Sequence, residues 1–281
     1  MSISGFTIKS RSSENVMNTT QSAGNQRRYI SSQVGTSETT RAATKPFTKP
    51  FCEWLAGVID GDGSLQVSKQ GYTSLEITMG LEDLALLRYI QDKLGGSIKM
   101  RSGAKSYRYR LHNREGMITL VNSINGHIRH TTRLLQLHRV CQQLNIPVLE
   151  SVHLTSSSYW FAGFFDADGT IGFSIKNLIP QLSLRVVNKL LVDVQWYKQI
   201  FGGYIYYDSS QNGYYQWSVQ SREDVIKMKI YFKGKCRSHN SHRIYLIDEY
   251  YKLKDLKAFS KDSIHHKAWQ AFLVKWQKLK I

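Results

Sequence analysis

Apolar residues recur at helical spacing through Phe51-Cys52-Glu53-Trp54-Leu55-Ala56-Gly57-Val58-Ile59, and the run stops at Asp60-Gly61-Asp62-Gly63. From Ser64 the period changes to two: Leu65 and Val67 are apolar, Gln66 and Ser68 polar, as in a strand with one buried face. The chain says this again later, with Tyr159-Trp160-Phe161-Ala162-Gly163-Phe164-Phe165-Asp166-Ala167-Asp168-Gly169 followed by alternation from Thr170 to Lys176. Each copy predicts a short helix, a stop at a glycine in the left-handed cap conformation, and a strand.

The agreement continues downstream. Alternation over 74–79 predicts a return strand, and apolar spacing over 84–94 predicts an amphipathic helix halted by Gly95-Gly96; residues 182–186, then a helix to Phe201 and Gly202-Gly203, repeat it. The acids of the two copies are 168 − 62 = 106 apart and the first stop glycines 202 − 95 = 107 apart, the signature of a duplication. Paired strands follow in each copy, over 97–101 with 107–112 and over 204–207 with 214–220. Alternation puts Arg108, Arg110 and His112 on one face opposite Tyr107, Tyr109 and Leu111, and puts Gln216, Ser218 and Gln220 opposite Tyr215, Trp217 and Val219. Helical sequence closes the halves over 132–144 and 243–254. A last segment, 264–276, carries Trp269, Phe272, Leu273 and Trp276 at core spacing.

Composition narrows the partner. The 281 residues suffice for about two domains, and the formal charge of +17 is spread through both halves, which points to a polyanion. Three distant cysteines support neither a disulfide framework nor a zinc knuckle, and no apolar run reaches the roughly 20 residues of a membrane span. The pairs His239/His242 and His265/His266 have no Cys or carboxylate at ligand spacing. Residues 1–46 are polar, poor in acids and without apolar periodicity. They read as a disordered extension, as an organellar targeting segment, or as a remnant of upstream translation.

Two features of the repeated helix run against ordinary helix design. Gly57 and Gly163 sit mid-helix, where glycine costs about 1 kcal/mol unless close packing compensates. Asp60/Asp62 and Asp166/Asp168 crowd carboxylates where the macrodipole is already negative. If the small-residue faces meet, both helix ends arrive together. Asp62 and Asp168 then form an oxygen-rich site for hard divalent cations. The acids can also be read as caps of the turns at Gly63 and Gly169, the reading preferred for Asp60 and Asp166.

Residues 55–63 and 161–169 resemble two copies of the LAGLIDADG motif of homing endonucleases, in the single-chain, two-motif arrangement. The resemblance implies an α+β fold: two pseudo-symmetric αββαββα halves, 47–150 and 151–281, whose curved antiparallel sheets form a DNA-binding saddle. It also implies a monomer that hydrolyses phosphodiester bonds of a long asymmetric DNA duplex with the help of divalent metal. Asp62 and Asp168 are then the catalytic, Mg²⁺-binding acids, with carbonyls of Gly61 and Ala167 as further ligands. The polar strand faces supply the DNA-reading set: Ser64, Gln66, Ser68, Lys69, Arg108, Arg110 and His112, and Thr170, Ser174, Lys176, Arg185, Gln216, Ser218 and Gln220. The family's basic and polar groups near the acids map loosely onto Arg129, Arg133 and Arg243, in place of an expected lysine, and onto Thr78 and Arg185. Two rivals share the fold: an RNA maturase acting on a host intron, and a DNA-binding protein with impaired catalysis. The family's usual homes suggest an organelle, the mitochondrion before the chloroplast.

Overall fold

The computed structural model describes residues 46–279 apart from 211 and 212, so the extension read over 1–46 lies, but for Pro46, outside the described residues. The first motif forms α1 (Lys49–Asp62), with Pro50 tolerated in its first turn, and runs straight into β1 (Gly63–Val67). Then follow β2 (Thr73–Gly80), α2 (Leu84–Leu94), β3 (Ser97–Met100), β4 (Ser106–Leu111), α3 (Arg114–Ile124) and α4 (Thr131–Leu144). The second copy gives α5 (Trp160–Asp168), β5 (Thr170–Lys176), β6 (Ile179–Asn188), α6 (Leu191–Phe201), β7 (Tyr204–Asp208), β8 (Tyr214–Val219) and α7 (Arg222–Phe232). A 3-10 segment, Asn240–Leu246, leads into α8 (Ile247–Asp255), and α9 (His266–Lys278) closes the described chain.

Each half carries a four-stranded antiparallel sheet, in the orders β1-β2-β4-β3 and β5-β6-β8-β7. The registers of the two sheets match around the motifs, Ser64 opposite Glu76 in one and Thr170 opposite Arg185 in the other. Apolar faces turn inward, with Leu65, Leu75, Ile77, Tyr109 and Leu111 buried in the first half and Ile171, Leu182, Leu184, Trp217 and Val219 in the second. The end of the chain behaves as its spacing predicts: Trp269, Phe272 and Trp276 of α9 are buried and gather around Phe173 of β5.

The mid-helix glycines are explained by contact. A Cβ on Gly57 would stand 2.0 Å from the carbonyl oxygen of Trp160, and one on Gly163 would stand 1.9 Å from that of Trp54. The backbones of α1 and α5 therefore touch, and the packing recovers what glycine costs each helix. The terminal glycines are needed for a different reason from the left-handed cap that sequence suggests. Gly63 and Gly169 are extended, with φ of −80° and −78°. Their missing side chains make room for the preceding turn: a Cβ on Gly63 would lie 2.7 Å from Ile59, and one on Gly169 2.3 Å from Phe165.

Two helices escaped the periodicity reading. Asn113 and Ser221 accept hydrogen bonds from Gly116 and Asp224 backbone N–H groups and so start α3 and α7. Met117, Leu120, Val121 and Ile124, and Val225, Met228 and Phe232, then face the core. Those caps and spacings are in the sequence. The preceding strands, ending within two residues of each cap, obscure them.

Candidate active site

The two acids of each motif do different work. The carboxylate of Asp60 accepts the backbone N–H groups of Arg129 (2.9 Å) and His130 (3.2 Å) and the indole N–H of Trp160 (2.8 Å). Asp166 accepts from Arg237 (2.8 Å), Ser238 (2.8 Å) and the indole of Trp54 (2.9 Å). Each buried acid thus ties the opposite helix to the loop that enters its own half's next element. Burial pushes Asp60 up to about 7, while those N–H donors pull it back down. Asp60 and Asp166 are structural, as sequence favoured, but as braces between the halves rather than as turn caps.

Asp62 and Asp168 end α1 and α5 and do come together. A Cβ on Gly61 would meet the Cβ of Ala167 at 2.4 Å and an oxygen of Asp168 at 3.1 Å, so the carboxyl of Asp168 lies against the end of α1. Burial first, then the charges of Asp168 and Asp83, push Asp62 up to about 8, against a smaller pull from Arg133. Asp168, more open to solvent, is pushed by burial to about 6, with Arg133 drawing it back. Two oxygen donors that hold protons so readily at a negative helix end are a fitting pair for a hard divalent cation, whose charge would remove the repulsion. Among the described residues no group of three or more His, Cys, Asp or Glu side chains is placed to hold a metal, so a cation here would rest on this pair with backbone and solvent oxygen.

The carbonyl of Gly61, expected as a further ligand, already accepts the guanidinium of Arg133 at 3.1 Å, and a second Arg133 nitrogen donates to Ile59 at 3.1 Å. Arg133 therefore caps α1 beside the acid pair. Arg129 lies 5.5 Å from the Trp160 ring centre, and Arg237, which sequence reasoning did not single out, holds the equivalent place over Trp54 at 5.5 Å. No spacing in the chain marks Arg237; only its backbone bond to Asp166, the match of Arg129 with Asp60, identifies it. Arg243 is not an active-site cation: it is buried and donates to the carbonyls of Ile171 (2.8 Å) and Trp276 (3.3 Å). Thr78 lines a cavity with Asp62, Asp83 and Asn240. Arg185 is not its counterpart, because the register aligns Arg185 with Glu76 and makes Val187 the equivalent of Thr78.

The strand-face residues divide in the same way. Gln66, Ser68, Lys69, Arg108, Arg110 and His112 are exposed, as are Thr170, Ser174 and Lys176, whereas Ser64, Arg185 and Gln220 are half-buried. Lys69 lies in the hairpin turn past the end of β1, outside the alternation. Gln216 and Ser218, expected on an open face, are buried, at 6% and 1% exposure. The register sets Tyr206 against Gln216 and Tyr204 against Ser218, and Gln216 bonds to the Tyr206 hydroxyl. The edge strand thus sets a tyrosine opposite each of these polar residues.

Comparison with known proteins agrees with this geometry. The family model for LAGLIDADG endonucleases matches residues 55–144. The chain is 43% identical over 90% of its length to a probable intron-encoded endonuclease aI2 of Debaryomyces hansenii, and 47% identical over 80% to the intron-encoded RNA maturase bI4 of Saccharomyces cerevisiae. It spans only 45% and 36% of those two proteins. With the intron-encoded DNA endonuclease ai2a of Dictyostelium discoideum it is 32% identical over 82% of its length and 75% of the relative's. In fold it matches the crystal structure of the LAGLIDADG meganuclease I-AabMI bound to uncleaved DNA, with a TM-score of 0.60 and 18% identity over 82% of this chain and 97% of that one. The two-motif chain belongs to the LAGLIDADG family of homing endonucleases.

Proposed function

We propose that the chain is a site-specific double-strand DNA endonuclease that acts as a monomer on a long asymmetric target. The observation that carries this reading is the meeting of Asp62 and Asp168 at the joined ends of α1 and α5. Asp62 and Asp168 would hold Mg²⁺, with the carbonyls of Gly61 and Ala167 as further oxygen donors, and the metal would supply water activation and charge neutralisation at the scissile phosphate. The protein's own contribution is position. The braces Asp60 and Asp166 fix the two helix ends against each other, and Arg133 offers a cation beside them. Thr78 and Asn240 offer hydrogen bonds to water in the cavity next to Asp62. Each sheet's polar face takes one half-site in the major groove, Arg108 and Arg110 from the first half and Thr170, Ser174, Lys176 and Arg185 from the second. Different faces imply different half-sites.

A second activity is favoured by one observation, the 47% identity to a protein named an RNA maturase. Splicing assistance on intron RNA is then a companion function, and intron-encoded relatives favour a mitochondrial setting. Among the described residues no helix is long and apolar enough to cross a membrane. The test is to incubate a randomised duplex library with the protein in Mg²⁺ and sequence the ends. Discrete double-strand cuts lost in Asp62→Asn and Asp168→Asn support the nuclease. Enriched but uncut duplexes support the binding or maturase reading, and intron splicing by Asp62→Asn protein distinguishes the last.

A further inference from the structure

We infer that the two motif acids work in unequal surroundings, so that one DNA strand is cut before the other, and that Arg133 sets the order. The inference rests on the nuclease reading above and adds an order of events to it. Two independent registers identify equivalent positions. In the sheets, Ser64 pairs with Glu76 and Thr170 with Arg185, so Thr78, two residues beyond Glu76, corresponds to Val187. In the loops, Arg129 and His130 donate to Asp60 as Arg237 and Ser238 donate to Asp166. Arg133 therefore corresponds to Ser241.

The two sides then differ in kind. On the Asp62 side, a cavity of about 270 Å³ is lined by Asp62, Thr78, Asp83 and Asn240, and no Lys or Arg is among its described lining residues. Ser241, where a cation would stand, is buried and spends its hydroxyl on the carbonyl of Ser238 at 2.7 Å. Arg243, two residues on, is committed to Ile171 and Trp276. The Asp168 side has the reverse pair. Arg133, held in place by the carbonyls of Ile59 and Gly61, bears on both acids but is the leading charge beside Asp168 and the least of those acting on Asp62. The place for a polar hydroxyl is taken by Val187, which is 45% exposed.

Each cut has the same chemistry. A water oxygen bonds to phosphorus and loses one proton, one ester P–O bond breaks, and the departing oxygen takes up one proton. Negative charge spreads over the phosphate oxygens on the way, and a fixed guanidinium stabilises it without rearranging. A second carboxylate, Asp83, does the opposite on the Asp62 side. The strand whose phosphate sits at Asp168 and Arg133 is cut first.

The test uses the full chain with a target selected from a randomised duplex library, each strand carrying its own dye, under single-turnover conditions in Mg²⁺. The expected result is a nicked intermediate, always in the same strand, with the second cut on the order of tenfold or more slower. Arg133→Gln slows the cut at Asp168 by on the order of 10²-fold, so that this strand is no longer cut first, while Arg133→Lys preserves the order. Binding of uncut duplex in Ca²⁺ shows that each variant is folded. Equal rates on both strands, or an equal slowing of both by Arg133→Gln, would overturn the inference and leave the nuclease reading standing. Binding with no cut in either strand would instead overturn the nuclease reading, and this inference with it.

Discussion

On the polar face of the first sheet one acid, Glu76, holds two arginines, Arg108 at 3.6 Å and Arg110 at 3.4 Å. On the second sheet the register puts Arg185 where Glu76 stands, and puts Gln216 and Ser218 where the two arginines stand. The edge strands continue the contrast: β3 brings Lys99 and Ser97 to positions where β7 brings Tyr206 and Tyr204. The inner faces show no such divergence, since both halves bury aliphatic and aromatic residues and both helices meet through glycine. A duplicated fold holds constant what its core and its twofold contact require. It leaves the outward face free to differ, and with it, on the proposed nuclease reading, the half of the target each sheet would meet.

The strongest test of the shared part is the helix contact. Gly57→Ala and Gly163→Ala each drive a Cβ to within about 2 Å of a backbone carbonyl that cannot rotate away. Each is expected to cost at least about 3 kcal/mol in urea unfolding. The double variant should cost much less than the sum, because one intrusion already separates the helices that the other would strain. Additive costs would mean that the two sites yield independently.

Next in size are the braces. Asp60→Asn and Asp166→Asn each turn an amide NH₂ toward an N–H donor, leaving a buried donor without an acceptor, at about 1–3 kcal/mol. Both acids accept from two backbone N–H groups and one indole, so the two losses should be of similar size. A marked inequality would break the symmetry of the frame itself.

Much of this was legible from residue order. Both motif helices, their small-residue faces and the meeting of Asp62 with Asp168 follow from local spacing and a repeat. What was not legible depends on lengths and neighbours. The turn between β1 and β2 runs from Ser68 to Tyr72, while β5 and β6 turn through Asn177 and Leu178, both with positive φ. The second turn is shorter, but β5 and β6 pair on to Lys176 and Ile179, beyond the equivalents of Val67 and Thr73. The hairpin from Thr170 to Arg185 is therefore three residues longer than that from Ser64 to Glu76, and this displaced Arg185 from the partner that offset counting gave it. Alternation likewise places Gln216 and Ser218 on a polar face but says nothing of the tyrosines set opposite them or of their burial. Arg243 read as an active-site cation because a sequence shows its charge and hides the carbonyls it caps.

A difference inside the frame can be read by pH. His130 is buried, with one ring nitrogen 2.6 Å from the Tyr197 hydroxyl and the other 3.2 Å from the Asn188 amide, whereas its equivalent is Ser238. Burial, then the charge of Arg133, depresses His130 to about 3, so its contribution is present above the ordinary histidine value and is lost as pH falls from about 6.5 toward 3. At pH 5 the loss should be about 2 kcal/mol relative to pH 8. Asp60, raised to about 7, acts in the opposite sense over the same range, so the diagnostic quantity is the difference between wild type and His130→Ser. That difference should shrink toward acid. A constant difference across pH would show that His130 takes up its proton in the fold.

The smallest effect bears on the outward faces. On the proposed DNA-binding reading, Glu76 would compete with DNA phosphate for Arg108 and Arg110, both about half exposed and so only weakly held by it. Glu76→Gln releases them, and duplex binding should tighten and grow more dependent on salt, by up to about 0.9 in slope for each further phosphate neutralised, over roughly 50 to 200 mM. Preference within that half-site should relax, because arginines freed from a fixed partner settle on phosphates as readily as on guanine edges. Arg185 has no such acid opposite it in the register, facing Thr170 and Ser218 instead, so Arg185→Ala should weaken binding and flatten the slope. Anisotropy titrations of the two variants on one selected target would show opposite signs. If Glu76→Gln instead weakens binding, the carboxylate is itself a reader, accepting a hydrogen bond from a cytosine amino group, and the first face is a base-contacting triad rather than a pair of arginines with their charge held in check.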